Sequence, residues 1–339
     1  MKKFCDYLIY LVSLPGFWII RHSPRFFITW LAHIGGFFLM WSPGFVKTSD
    51  ANLQIALPEL DKKERRQIIH ASGTNFILCL LEYIWATKNQ ARLDRSYLIN
   101  ETELAKIRNR LAANERTMYV NPHMASWEGA SAIIARESRT QSGIAVIVKA
   151  VKNPWLDKLF NGGVRGNVPG IQVIYSTGAL RGTIKAFGEG KSLGILIDQN
   201  TKVRDGGAFV NFFGLPAPSS LSPAVLAKYC LNKNMPSDIC YSMAVREEDG
   251  KIHFYTIPLS KPVAEYASDQ ELVQELLDIS TAEIAKRPEQ YLWSYPRFRY
   301  IPEDASDELA AKYPFYAHRA RADFYDAKAY HQRKAAKKD

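Results

Sequence analysis

The hydrophobic pattern divides the chain into three stretches with different periods. Phe4 to Ile20 is almost uncharged and is interrupted only by Pro15-Gly16; after Arg21, His22 and Arg25, a second charge-free run covers Phe26 to Trp41. A helix needs about 20 apolar residues to cross a bilayer, and each run falls slightly short of that. Lys2-Lys3 gives the first run the look of a secretory leader, but no small-x-small cleavage site follows. The expectation is a retained membrane anchor, either one spanning helix or a pair lying in the interface, with a buried core hairpin as the alternative. Residues 48–100 read as helices. Asp61 with Glu64 three positions on forms a capping box opening a helix that runs past His70, and Ser72 to Thr87 is strongly apolar.

From about residue 115 to 260, short apolar runs alternate with helical segments. Strands are expected at Met118 to Asn121, Ile144 to Ala150, Ile171 to Tyr175 and Leu193 to Asp198. Helices are expected at Ser126 to Glu137, Pro154 to Phe160, Thr177 to Phe187 and Ser222 to Leu231. Ile239 to Arg246 and Lys251 to Pro258 flank Asp249-Gly250, a hairpin signal, and residues 268–286 form a further helix. Strands separated by helices imply an α/β fold: a largely parallel mixed sheet flanked by helices. The expected organisation is an anchor over 1–45, an α/β domain over 46–302 and a basic helical tail over 303–339. From Lys312 onward that tail holds eight Lys/Arg against three Asp.

Composition sharpens this in two places. The net charge of +10 suits an acidic partner, and 17 Phe, 17 Tyr and 7 Trp suit a greasy ligand or a membrane interface. No zinc-finger spacing, basic heptad region or RNA-binding aromatic signature is present, which disfavours nucleic acid. The four cysteines are scattered, with no metal-ligand or redox spacing, and read as free thiols.

The chemistry concentrates at residues 121–128, Asn-Pro-His-Met-Ala-Ser-Trp-Glu. Pro122 keeps Asn121 out of the helical region, so His123 falls in a strand-to-helix turn with Glu128 just inside the helix. A carboxylate on one ring nitrogen fixes the tautomer and leaves the other free to accept a proton. The alternative is a structural histidine. Asn161 to Gly170 reads as a flexible, Gly-rich loop whose single cation, Arg165, can meet an oxyanion or phosphate. Asp198 ends the most hydrophobic strand. With Gln199 and the aromatic loop Phe212-Phe213-Gly214, it is expected to line an acyl-chain pocket, with a loop that packs in the core as the alternative. Gly190-Lys191-Ser192 lacks the upstream glycine of a phosphate loop, so no nucleotide site is expected there.

Taken together, these residues resemble the late acyltransferases of lipid A biosynthesis, within the wider lysophospholipid acyltransferase group. The resemblance covers roughly residues 5–300. It rests on the order of Asn52-Leu53, Leu57-Pro58-Glu59 with Glu64-Arg65, the H-x4-E motif of His123 and Glu128, Arg165, Asp198-Gln199 with Phe212-Phe213-Gly214, and Pro288 to Trp293 followed by Arg297 and Arg299. The closing block departs from the family pattern: Tyr295-Pro296-Arg297-Phe298 stands where His-Arg-Arg-aromatic is usual. The resemblance implies catalytic roles for His123, Glu128 and Arg165, and substrate contacts for Asp198, Gln199, Phe212, Phe213 and Gly214. It also implies an enzyme of the bacterial inner membrane that faces the cytoplasm. Such an enzyme moves a fatty acyl group from acyl carrier protein to a hydroxyl of a Kdo-bearing lipid A precursor, with no cofactor or metal. An acyl-CoA-dependent glycerolipid acyltransferase and a non-catalytic lipid-binding protein are the alternatives.

Overall fold

The computed structural model describes residues 2–138 and 142–330. Four helices open the chain: α1 (Lys2–His22), α2 (Arg25–Leu39), α3 (Pro43–Ala56) and α4 (Lys62–Ala86). By length and composition, α1 and α4 could each cross a membrane. However, 56% of the apolar window of α4 is buried inside the protein, which makes it a core helix; the window of α1 is unburied. Helices α2 and α3 meet at 87°. One face of α2 packs Ile28, Ala32 and Gly36 on α4, while Phe26, Trp30, Phe37 and Phe38 stay exposed. The contact is close because Gly36 has no side chain: a Cβ there would lie 2.1 Å from Thr74 Oγ1. The expected capping box is present, with Asp61 accepting from the Lys63 and Glu64 amides and Glu64 reaching back to the Asp61 amide.

Glu82 of α4, 1% exposed, ties the helical layer to the sheet. It pairs with Arg25 at 2.8 Å and with Arg246, and both guanidiniums also donate to the Gly250 carbonyl. Removing one partner from a buried ion network leaves the others desolvated and unpaired. Glu82→Leu should therefore lower stability by about 3–5 kcal/mol. The readout is the unfolding temperature in detergent, and an unchanged value removes this brace from the fold.

The strands are β1 (Tyr97–Ile99), β2 (Arg116–Asn121), β3 (Ile144–Val148), β4 (Ile171–Tyr175), β5 (Ser192–Leu196), β6 (Gly207–Phe212), β7 (Leu215–Ser220), β8 (Ser237–Arg246) and β9 (Ile252–Pro258). Seven of them form one sheet in the order β1-β9-β8-β2-β5-β3-β4, parallel except between β8 and β9. The fold is thus α/β with a mostly parallel mixed sheet flanked by helices. Its two faces bury separate apolar clusters. Met118, Val120, Leu193, Ile195, Tyr241 and Met243 point into one, beneath helices Ser222–Asn232 and Asp269–Lys286. Tyr119, Ile144, Cys240 and Phe254 point into the other, beneath α4 and helix Trp127–Ser138.

Three segments differ from expectation. The expected short helix begins at Pro154–Asp157 and continues as a π-helix over Lys158–Arg165, so the first half of the Gly-rich segment read as a loop, up to Arg165, is helical. The aromatic loop after Asp198 is an antiparallel hairpin, β6–β7, turning at Phe213 (φ 48°) and Gly214 (φ 80°). After residue 303 there is no long helix up to 330. Short helices Asp307–Ala310 and Ala322–Tyr325 lie beside a two-strand ladder of Tyr300–Ile301 and His318–Arg319. This segment packs on the domain: Tyr313 and Phe324 are buried, and the Tyr316 hydroxyl donates to Asn52. The end of the expected basic tail, 331–339, lies outside the described residues.

Candidate active site

Sheet register explains the first pair of functional groups. Asn121 is the Cα partner of Leu196 in the adjacent parallel strand. His123 and Asp198, each two residues further on, leave the same sheet edge side by side. Asp198 Oδ2 accepts from the His123 backbone N–H at 3.0 Å, and Oδ1 lies 2.7 Å from Nδ1. The imidazole is 16% exposed and the carboxylate 3%, so the pair is walled in on the Asp198 side and open on the other. On the open side, Gln199 Nε2 lies 3.2 Å from His123 Nε2.

Asp198 is itself held from behind. Tyr291 lies beneath it: burial first, then the Asp198 charge and a hydrogen bond to Asp198, raise that phenol's pKa well above its ordinary value. Arg297, 2% exposed, donates to Asn200 Oδ1 at 2.9 Å, to the Pro218 carbonyl at 2.7 Å and to Ser219 Oγ. Burial pushes the Asp198 carboxyl up, but the facing His123 charge, its two hydrogen bonds and Arg297 outweigh burial and hold it below the usual carboxylate value. Asp198 is therefore an anion at neutral pH.

Glu128 does not touch the imidazole, contrary to the expectation from H-x4-E spacing. The chain reverses at Ala125 (φ 52°) and is pinned there from the closing block. The Ala125 amide donates to the Gln290 carbonyl at 2.7 Å, and the Leu292 amide to the His123 carbonyl at 3.0 Å. That reversal sends His123 toward β5 and Glu128 toward the π-helix. Arg165 grips Glu128 with both arms of its fork, Nε to Oε2 at 2.9 Å and Nη2 to Oε1, while Nη1 donates to Asn161 Oδ1. The guanidinium also lies over the Phe160 ring, 4.5 Å from its centroid. Burial lowers the Arg165 pKa, but Glu128 more than compensates and the net shift is upward, so the group is a fixed cation. Of its five donors, three are engaged, leaving two for a ligand.

All five polar groups, His123, Glu128, Arg165, Gln199 and Asn121, line one cavity of about 800 Å³. Its apolar walls come from both faces of the sheet. Ala130, Ile134, Val146 and Phe160 stand on one side, and Ile147, Ala179, Ile195 and Leu226 on the other. Gly194 lies in the floor between Ile144 and Val146, where a side chain would fill the space. A cavity of this size, mostly apolar with a few convergent polar groups, has the character of a small-molecule or lipid-chain site.

Phe212, Phe213 and Gly214 are not among the lining residues. Phe212 is 1% exposed and packs against Tyr291 and Phe298, with centroids at 6.4 and 6.1 Å, and Phe213 lies 6.0 Å from Trp293. The hairpin wedges the closing block beneath Asp198 and does not form the pocket wall.

A profile of the bacterial lipid A biosynthesis acyltransferases matches residues 2–300, from α1 through the whole sheet to the closing block. The chain belongs to that family. Individually curated proteins yield no match. Membership makes the protein an acyltransferase of lipid A synthesis.

Proposed function

We propose that this acyltransferase moves a fatty acyl chain from the thioester of acyl carrier protein to a hydroxyl of a Kdo-bearing lipid A precursor, at the cytoplasmic face of the inner membrane. The observation that carries the reading is the His123–Asp198 pair opening onto an apolar cavity across from a fixed guanidinium. With its Nδ1–H given to Asp198, the imidazole keeps a lone pair on Nε2. An incoming hydroxyl displaces Gln199 and gives Nε2 its proton as its oxygen attacks the thioester carbon. The oxyanion that forms takes the free donors of Arg165. The C–S bond then breaks, and the imidazolium returns the proton to the departing thiolate. Glu128 acts through Arg165, which it holds and keeps charged. The transfer is direct, with no acyl-enzyme.

Positive charge and apolar helices support an acidic carrier as donor and a membrane-borne glycolipid as acceptor. The test is His123→Ala, purified in detergent and supplied with acyl carrier protein thioester and precursor. Turnover should fall by about 10²- to 10⁴-fold, the usual worth of a general base. Near-wild-type turnover ends the assignment. The same assay run with acyl-CoA or a glycerolipid separates the competing donor and acceptor.

A further inference from the structure

Single exposed apolar side chains need no explanation, but a group of them around a cavity mouth does. Val151, Leu180 and Val225 all line the cavity, yet they remain 38%, 62% and 45% exposed. Trp155, 42% exposed, follows Val151 by one turn of chain. Cations alternate with these residues: Lys149 and Lys152 flank Val151, and Arg181 follows Leu180, all on the surface. This pattern, an aromatic and aliphatic ridge interleaved with Lys and Arg, is that of a surface lying at a lipid headgroup layer.

The ridge is continuous with the anchor. The Tyr7 and Tyr10 rings of α1 lie 5.1 and 5.8 Å from Trp155, and Asn153 Nδ2 donates to the Asp6 carbonyl at 2.8 Å. Further along, Leu11, Leu14 and Trp18 face Leu159 and Val164 across a shared cleft. Helix α1 thus runs beside the segment that roofs the cavity, its outer residues Phe4 and Val12 at 65% and 79% exposed. A bilayer that takes up α1 reaches the cavity rim with no intervening protein.

We propose that the rim carried by Val151, Trp155 and Leu180, with Lys152 and Arg181 beside it, is a second membrane-contact surface that seats the cavity mouth in the headgroup layer of an anionic bilayer. Resting on the acyltransferase reading, it gives lipid chains a lateral route to His123 that avoids water. An acidic protein also complements the cations, but it leaves the exposed leucine, valine and tryptophan unexplained; the bilayer accounts for both.

The test reads depth and not turnover, so its failure is distinguishable from failure of the acyltransferase assignment. The full chain carrying Cys5→Ser, with its other three cysteines buried, receives Leu180→Cys. It is labelled with a polarity-sensitive fluorophore and reconstituted into phosphatidylglycerol–phosphatidylethanolamine vesicles. Lys233→Cys, exposed beyond the opposite edge of the sheet, is the reference. Position 180 should show blue-shifted emission, several-fold stronger quenching by headgroup-depth nitroxide lipids than position 233, and protection from aqueous iodide. Val151→Cys should repeat the result. Equal iodide access at positions 180 and 233 overturns the proposal. So does protection that appears only when acidic carrier protein is added, which would make the rim a protein dock.

Discussion

Asp198→Asn should lower kcat by about 10²- to 10⁴-fold, in the range of removing the base itself, because the two side chains act as one unit. The substituted amide keeps the shape of the carboxylate. However, it presents an NH2 toward Nδ1 as readily as an oxygen, and the tautomer that leaves Nε2 free is no longer enforced. An imidazolium formed during the reaction would also lack the anion that lies 2.7 Å from it here. Steady-state kinetics with acceptor hydroxyl and acyl thioester varied in turn should show the loss in kcat, with KM for the donor little changed, since Asp198 is 2% exposed and absent from the cavity wall. Wild-type kcat in the folded variant would return the orienting role to some other group.

Glu128→Gln should hit stability and rate together. Arg165 is 17% exposed and Glu128 7%, so the pair is largely out of water. Losing one charge from such a pair costs about 3 kcal/mol, the low end for buried pairs because solvent still reaches the guanidinium. The unfolding temperature should fall accordingly. Rate should fall because a guanidinium without its grip no longer points at the reaction; one preorganised oxyanion donor is worth about 10²- to 10³-fold. Arg165→Lys separates the two effects. It keeps the charge near Glu128 but loses the two-armed fork, so most of the rate loss should appear with little of the thermal one. A lysine variant with full activity would show that Arg165 only holds the roof in place.

The two results together distinguish what the sequence made legible from what it did not. Alternation of apolar runs with helical segments was enough for β2 to β5, for the β8–β9 hairpin and for the mixed sheet. The three-residue strand β1 is too short for any period to show. The β6–β7 hairpin was hidden by its own residues. Pro216 and Pro218 sit within β7, and the turn puts Phe213 at φ 48°, where Asn or Gly is the usual signal. The Gly-rich segment 161–170 looks flexible from composition, but tertiary packing against α1 overrides that and sets Arg165 on a π-helix. His123, Glu128 and Arg165 could be picked out by type and spacing. The partnering could not: five residues separate His123 from Glu128 and 75 separate it from Asp198, yet sheet order makes the distant carboxylate the neighbour.

The turn that carries His123 gives a hydrogen bond to Gln290 and takes one from Leu292, and Tyr291 reaches beneath to Asp198. A ribosome-bound chain can therefore expose its histidine, both carboxylates and the arginine long before any of them is held in working geometry. Activity waits until the closing block around Gln290 to Leu292 has been made, by which time the apolar helix α1 has had ample opportunity to find lipid. Premature stop codons upstream of Pro288 should yield protein that reaches the membrane and transfers nothing.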